Sequence, residues 1–273
     1  MIPWTVLETI KTPEGALELR QRGTDYLITI GGRVLMNSHS SGSEKALPRL
    51  SLAPLAELPA PRVLIGGLGM AITLRAALDI LPPRASVVVG ELTPKIVEWC
   101  KGPLAHLTRT AVNDPRVRVA LGDVARHIGQ VKPATYDAII LDLYEGPNVQ
   151  TQRREDPLYG PGAFYRTARA LTPTGVFAIW AEEYDAAFWK RFSGAFEATK
   201  HMIGQGGRKH VVYVGRPLPE VPQRVRPPKS GAAPARGAQA RGPQARGPQA
   251  RASQPSASRE RGDGRRPAKR PGR

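Results

Sequence analysis

The first part of the chain alternates between apolar and polar side chains, with turn-forming residues at short intervals. Between residues 5 and 36 the alternation is interrupted at Pro13-Glu14-Gly15, Gly23-Thr24-Asp25 and Gly31-Gly32. A period of two residues is typical of strands with one buried face, and short breaks that contain glycine join such strands as hairpins. The sequence therefore predicts a small antiparallel β region over residues 1–40.

After residue 40 the pattern changes to strands that alternate with helices. Ser41-Gly42-Ser43-Glu44 has the spacing of a capping box and predicts a helix there, despite Pro48. The expected strands lie near 62–66, 85–90, 116–121, 136–142, 175–181 and 210–214, and the last expected helix lies near 185–200. This alternation is typical of a parallel sheet with helices on both faces. We therefore expect residues 41–216 to form a Rossmann-like, doubly wound, mostly parallel α/β domain.

The composition changes abruptly near Pro217. The chain has a net charge of +17, and residues 221–273 contain 14 Lys or Arg but only two acidic residues, Glu260 and Asp263. Very few apolar side chains offset a backbone ordering cost of about 1–2 kcal/mol per residue, so we expect residues 217–273 to form a disordered basic tail. Its charge permits non-specific contact with nucleic acid. A solvated extension without a specific partner is the alternative, and we favour it.

Cysteine, histidine and apolar content exclude several classes of protein. Cys100 is the only cysteine, which excludes an intramolecular disulfide. The five histidines lack the spacing of zinc ligands, and we expect no metal. The chain has neither a signal-peptide pattern nor about 18 consecutive apolar residues, so we expect a cytoplasmic protein without membrane contact.

Candidate chemistry begins at the apolar run Val63-Leu64-Ile65, which opens into a glycine turn, and Glu91 follows 22 positions after Gly69. Glycines allow a ligand to approach the backbone closely, and a carboxylate at the next strand end can accept hydrogen bonds from two ribose hydroxyls. The candidate nucleoside-binding residues are Gly66, Gly67, Gly69, Glu91, Leu92, Gly122, Asp123 and Val124.

Ligands of open α/β sheets bind beyond the carboxyl ends of the strands. Asp123 follows the third strand of the domain, where it either accepts a hydrogen bond from an adenine amino group or caps the next helix. Asp142 follows the fourth strand and lies where the reactive arm of the ligand is expected. NAD is a competing ligand, but the β-branched Ile72 occupies the third glycine position of the dinucleotide fingerprint, so an S-adenosyl donor fits better.

Several motifs occur in the order and spacing found in one known family. The segment from about Arg62 to Pro217 resembles the spermidine synthase family, which combines a class I methyltransferase-like Rossmann domain with an N-terminal β domain. Five motifs of that family are matched in whole or in part. They are GGGDGG-TLR at Gly67–Arg75, E-x-D-P at Glu91–Pro94, D-P-R-V at Asp114–Val117, G-D at Gly122-Asp123 and Y-D-x-I-x-x-D at Tyr136–Asp142.

The resemblance implies aminopropyl transfer from decarboxylated S-adenosylmethionine, a co-substrate rather than a permanent cofactor, to a small-molecule amine. It places Asp142 at the catalytic acid position of the family and Glu145 at the companion carboxylate, and it implies a homodimer. Glu44 is retained from the Y-x-E segment of the polyamine pocket. An alkylammonium with a pKa near 10 must lose a proton before it attacks carbon, so Asp142 is expected to be the general base. Tyr144 and Tyr159 are candidates for contacts with the cationic substrate, but we favour a packing role for each.

One departure from the family pattern keeps two other functions open. Met70 replaces the acid that meets the amino group of the donor in this family. A methyltransferase that uses S-adenosylmethionine and an unknown acceptor is the first alternative. The second is a non-catalytic nucleoside-binding domain that carries a nucleic-acid-binding tail.

Overall fold

Four antiparallel strands form the N-terminal sheet of the computed structural model, which describes residues 2–39, 41–144, 146–148, 155–204 and 209–219. The strands are β1 (Thr5–Thr12), β2 (Gly15–Arg22), β3 (Asp25–Ile30) and β4 (Arg33–Asn37), and they pair in chain order. Leu17, Leu19 and Ile28 of this sheet are buried in a core shared with the following domain. The predicted antiparallel β region is therefore confirmed.

The second sheet has seven strands. They are β5 (Arg62–Gly66), β6 (Ser86–Glu91), β7 (Val117–Leu121), β8 (Tyr136–Leu141), β9 (Leu171–Ala181), β10 (Phe196–Ile203) and β11 (His210–Pro217). Their order across the sheet is β10-β11-β9-β8-β5-β6-β7. Strands β5 to β9 pair in parallel, whereas β11 pairs antiparallel with both β9 and β10.

Helices cover both faces of this sheet. They are α1 (Gly42–Leu52), α2 (Ile72–Ile80), α3 (Pro94–Lys101), α4 (Val124–Gln130), α5 (Pro161–Ala170) and α6 (Ala186–Ala195). Buried residues of α1, α2 and α3 share one hydrophobic core with the N-terminal sheet. Buried residues of α4, α5 and α6 form a second core on the opposite face, which is rich in phenylalanine. The expected Rossmann-like, doubly wound, mostly parallel fold is confirmed.

Two local predictions were wrong. The helix α1 forms as expected, but the Ser41 side chain makes no capping hydrogen bond, and the Ser43 hydroxyl instead donates to Glu44 at 2.8 Å. The last helix ends at Ala195 rather than near residue 200, because the chain continues as β10. Tertiary pairing of β10 with β11 satisfies its backbone hydrogen-bonding groups, and this pairing is not visible in the local sequence.

The strand order reverses at β5, whose neighbours are β6 on one side and β8 on the other. The connection from β5 leads outward through β6 to β7, and the chain then returns to pair β8 with the opposite edge of β5. A crevice forms at such a switch point, beyond the carboxyl ends of the two strands, because their connections leave in opposite directions. This edge of the sheet carries Gly66 at the end of β5 and Asp142 directly after β8.

The predicted C-terminal tail and the predicted absence of membrane contact are considered next. Residues 220–273 lie outside the described part of the structure, so the basic tail and the domain boundary at residue 217 stay predictions. Of the described residues, none belongs to a helix that is both long enough and apolar enough to cross a membrane.

Candidate active site

The glycine turn after β5 is held between the neighbouring strands. The Gly67 N–H donates to the Gly90 carbonyl at 2.8 Å, and the Asp142 N–H donates to the Gly66 carbonyl at 2.9 Å. Gly67 has a φ of +91°. A Cβ atom at this position would lie 2.3 Å from the Asp142 carbonyl oxygen, so only glycine fits. The turn and Asp142 are therefore parts of one rigid arrangement.

The far side of the turn is covered by the N-terminal sheet. Gly69 has a φ of +51°, and a Cβ atom there would lie 2.8 Å from the Met36 sulfur of β4. The Met70 N–H lies 3.0 Å from the same sulfur, a weak acceptor, and the Met70 side chain is fully buried. Sequence reasoning did not identify Met36, because nothing in the local pattern shows that β4 reaches this turn.

Glu91, at the end of β6, is nearly fully buried, with 8% of its surface exposed. Its two carboxylate oxygens accept hydrogen bonds from the Leu68 N–H at 2.9 Å and the Thr93 N–H at 2.8 Å. Burial raises the pKa of Glu91, and these backbone bonds partly oppose that shift. A carboxylate has about four acceptor sites, so Glu91 keeps acceptor capacity for a further donor such as a ribose hydroxyl.

The segment after β7 contributes a more open surface. The Asp123 carboxylate is exposed and accepts a hydrogen bond from the Ala125 N–H at 2.8 Å. Asp123 therefore caps α4, which was the second of its two expected roles. Its contact with an adenine amino group stays a prediction. Val124 is buried, and its side chain packs over Gly66 and Gly90. Leu92 and Leu121 are 70% and 60% exposed, and they place apolar surface beside Glu91 and Gly122.

Asp142 lies directly after β8, and its carboxylate accepts a hydrogen bond from the hydroxyl of Thr73 in α2. Burial raises the pKa of Asp142 to about 7. The hydrogen bond from Thr73 opposes this shift, whereas the nearby negative charge of Glu44 adds to it. A carboxyl group with this pKa can exchange a proton at neutral pH, which is a property of general bases.

Glu44, in the first turn of α1, is positioned by a hydrogen-bond network that includes Ser43 and His210. The Ser43 hydroxyl donates to Glu44 at 2.8 Å and also lies 2.8 Å from Nδ1 of His210, which makes Nδ1–H the donor in that second bond. The His210 ring packs edge-on against Trp180, with 5.1 Å between ring centroids. Sequence reasoning missed this role of His210, because residues 43 and 210 meet only in the folded protein.

The other predicted site residues are Tyr144, Tyr159 and Glu145, and they do not all lie near Asp142 in the described structure. Tyr144 follows β8 closely, and the Arg33 guanidinium lies 5.1 Å from its ring centroid. Tyr159 is buried in the opposite core, where its ring packs edge-on against Phe188. Glu145 lies outside the described residues, so its role as companion carboxylate stays a prediction. Within the described part of the chain, no group of three or more His, Cys, Asp or Glu residues is placed to hold a metal ion.

Comparison with known proteins gives matches that each cover about half of the chain. Residues 62–189 match the family described as the spermine/spermidine synthase domain. Putrescine N-methyltransferase 4 of Nicotiana tabacum is 32% identical over 130 residues, which are 47% of this chain and 32% of that protein. Polyamine aminopropyltransferase 2 of Streptomyces coelicolor is 34% identical over 136 residues, which are 48% of this chain and 24% of that protein. The chain thus matches about a third or less of these relatives' own length.

A solved structure shows the same fold at low sequence identity. Spermidine synthase from Thermotoga maritima aligns with a TM-score of 0.63 and 18% identity, over 77% of this chain and 72% of that one. The family resemblance predicted from the sequence motifs is confirmed by the match over residues 62–189.

Proposed function

We propose that the chain, whose residues 62–189 match the spermine/spermidine synthase domain, transfers an aminopropyl group from decarboxylated S-adenosylmethionine to a polyamine-type amine. One observation carries the proposal: a partly buried carboxyl group, Asp142, has a pKa of about 7 and lies directly against the glycine turn. The expected homodimer and the amine substrate are parts of this proposal.

The donor is proposed to bind at the ends of β5 and β6. The glycine turn allows its close approach, and Glu91 accepts hydrogen bonds from the two ribose hydroxyls through its remaining acceptor sites. The exposed side chains of Leu92 and Leu121 provide an apolar surface for the adenine ring. In this arrangement the sulfonium arm extends from β5 towards β8.

The acceptor amine is proposed to bind between Asp142 and Glu44. Two carboxylates attract the cationic substrate, and the bonds from Thr73 and Ser43 hold them in position. Asp142 takes a proton from the ammonium group. The nitrogen then attacks the methylene carbon beside the sulfonium, the carbon–sulfur bond breaks, and the thioether nucleoside leaves with the electron pair.

Methyl transfer from S-adenosylmethionine is a second candidate function, and Met70 favours it. The family acid that meets the amino group of the donor is replaced here by a fully buried apolar side chain. Loss of a charge-assisted hydrogen bond costs about 1.5–3 kcal/mol, which weakens the preference for the decarboxylated donor. The match to putrescine N-methyltransferases supports the same alternative.

Product identification separates the two candidates. The purified protein is incubated with either donor and a mixture of diamines and polyamines, and the products are identified by mass spectrometry. We expect aminopropyl adducts with the decarboxylated donor. Methylated amines formed only from S-adenosylmethionine would replace the first proposal by the second. If neither donor binds in calorimetry and no product forms, both are wrong.

A further inference from the structure

A cavity of about 540 Å³ lies between α1, α2 and the 3₁₀ turn Ala105–Thr108. None of the residues proposed to bind the donor or the amine lines it. Among the described residues, three cationic side chains line this cavity, namely Lys45, Arg49 and Arg75, together with a single carboxylate, Asp79. Hydroxyl groups and apolar side chains complete the lining. We call it the cationic cavity.

Within the part of the chain that the structure describes, the two cations from α1 form no ion pair. Lys45 and Arg49 are one helical turn apart and both are exposed. Among the described residues, neither side chain has a hydrogen-bond or ion-pair partner. Like charges at this spacing repel each other by a few tenths of a kcal/mol. The arrangement is thus slightly unfavourable unless an anion lies between them.

The single carboxylate of the cavity cannot neutralise them, because it is already shared. Asp79 accepts a hydrogen bond from Arg75 at 2.6 Å and two from Arg109, at 2.8 and 3.0 Å. The Arg75 Nε atom is buried and has no hydrogen-bond partner among the described residues. A buried donor without a partner is unfavourable, so a ligand oxygen would stabilise it.

We propose that the cationic cavity binds a small phosphate-bearing anion. Its size lies within the range of about 300–1,000 Å³ that is usual for small-molecule sites. Arginine guanidinium groups present planar pairs of donors that match phosphate oxygens, and lysine adds a mobile charge. The hydroxyls of Ser38, Ser41 and Thr108 supply further hydrogen bonds. This proposal does not depend on the reaction proposed above.

Calorimetry with pyrophosphate tests the site in the full chain. We expect Lys45→Gln/Arg49→Gln to weaken binding about tenfold or more, since two charge-assisted contacts are lost. The matched control is Arg126→Gln/Lys132→Gln, which removes one exposed lysine and one exposed arginine near α4 on the other face of the sheet. Background binding by the basic tail is the same in both variants. Equal affinities in the two variants would overturn the proposal.

A substitution that is expected to strengthen pyrophosphate binding provides a second test. Asp79→Asn removes the only negative charge that the described residues contribute to the cavity lining, and it releases Arg75 for the ligand. We expect pyrophosphate to bind about threefold more tightly, an effect typical of one partly exposed charge. Unchanged or weaker binding by this variant, at an unchanged thermal unfolding midpoint, would contradict an anion site here.

Discussion

The ends of β6 and β8 both carry a partly or fully buried carboxyl group, yet the two groups differ in what surrounds them. Glu91, at the end of β6, accepts hydrogen bonds from two backbone N–H groups. Asp142, after β8, accepts one from the Thr73 hydroxyl and lies near the negative charge of Glu44. Burial raises the pKa of both.

The difference indicates two roles. Backbone donors are fixed in place and stabilise the ionised form of Glu91, which suits a permanent hydrogen-bond acceptor for the ligand. Asp142 has fewer donors and a like charge nearby, so its proton is gained and lost near pH 7. We therefore interpret Glu91 as a binding residue and Asp142 as a general base, a distinction that can be tested by substitution.

The largest expected effect follows from Asp142→Asn, which removes the proton acceptor and preserves the shape of the side chain. Loss of a general base typically lowers kcat by about 10²–10⁴-fold. Donor affinity should stay within about tenfold, because Asp142 acts on the acceptor. Product formation and donor binding are measured on the same preparation.

Asp137→Asn is the matched control for this substitution. Asp137 lies at the opposite end of β8, where it accepts hydrogen bonds from the Arg62 backbone at 2.8 Å and from its guanidinium. We expect this variant to retain its activity within about twofold, since a surface ion pair contributes little to stability. Full activity in Asp142→Asn would eliminate the proposed base.

The second effect concerns donor affinity. Glu91→Gln replaces one acceptor oxygen by an NH₂ group. This group faces the N–H donor of Leu68 or Thr93 and cannot accept a hydrogen bond from the ribose. Since hydrogen bonds to charged groups contribute about 1.5–3 kcal/mol, we expect donor affinity to fall about tenfold to 100-fold, with a smaller change in kcat. Calorimetry with the donor measures this. Glu98→Gln, an exposed position on α3, is the control.

If Glu91→Gln lowers kcat strongly and leaves donor affinity unchanged, then the division of roles between Glu91 and Asp142 is wrong.

A smaller effect is expected at the third strand end, where Asp123 is exposed. Asparagine also caps helices well, so Asp123→Asn should leave the free energy of unfolding nearly unchanged and weaken donor binding only a few-fold. Asp123→Ala removes the cap and should cost about 1 kcal/mol of stability. Urea denaturation and donor titration of both variants separate capping from ligand contact. Identical donor affinity in all three proteins would exclude the adenine contact.

The smallest effect is a displacement of the pH profile. Asp142 must be ionised to act as a base, so kcat should rise with pH up to a plateau above about pH 7. Glu44→Gln removes a charge that raises the pKa of Asp142, so the midpoint should move to lower pH. Thr73→Val removes a hydrogen bond that lowers this pKa, so the midpoint should move to higher pH.

The two variants are compared by kcat at saturating substrate over a range of pH, so that the pKa in the enzyme–substrate complex is measured. Displacements in the same direction would show that Asp142 is not the group that titrates.

Local sequence was sufficient to predict which positions follow the ends of the parallel strands. Gly67 was predicted from a glycine turn after an apolar strand, and Glu91 and Asp142 from their positions after strands. Parallel strands bring their carboxyl ends to one edge, so these three positions were expected to meet. In the structure Gly67 lies against Asp142, and Glu91 accepts a hydrogen bond from Leu68 of the same turn, whereas the roles of these residues in binding and catalysis stay predictions.

Long-range packing accounts for what the sequence did not reveal. Met36 reaches the glycine turn from another sheet, and His210 holds Ser43 from a strand 167 positions away in the chain. Tyr159, for which we favoured a packing role, is buried in the core on the opposite face, where its ring packs edge-on against Phe188 of α6.

The sequence by itself determined most of the strands and helices, the glycine turn and the family resemblance, because these depend on periodicity and on short motifs. Only the tertiary structure decided the protonation behaviour of Asp142 and the presence of the cationic cavity. The physical reason is that a pKa depends on burial and on charges near in space, and a cavity depends on how separate helices pack. Neither property is encoded in neighbouring positions of the chain.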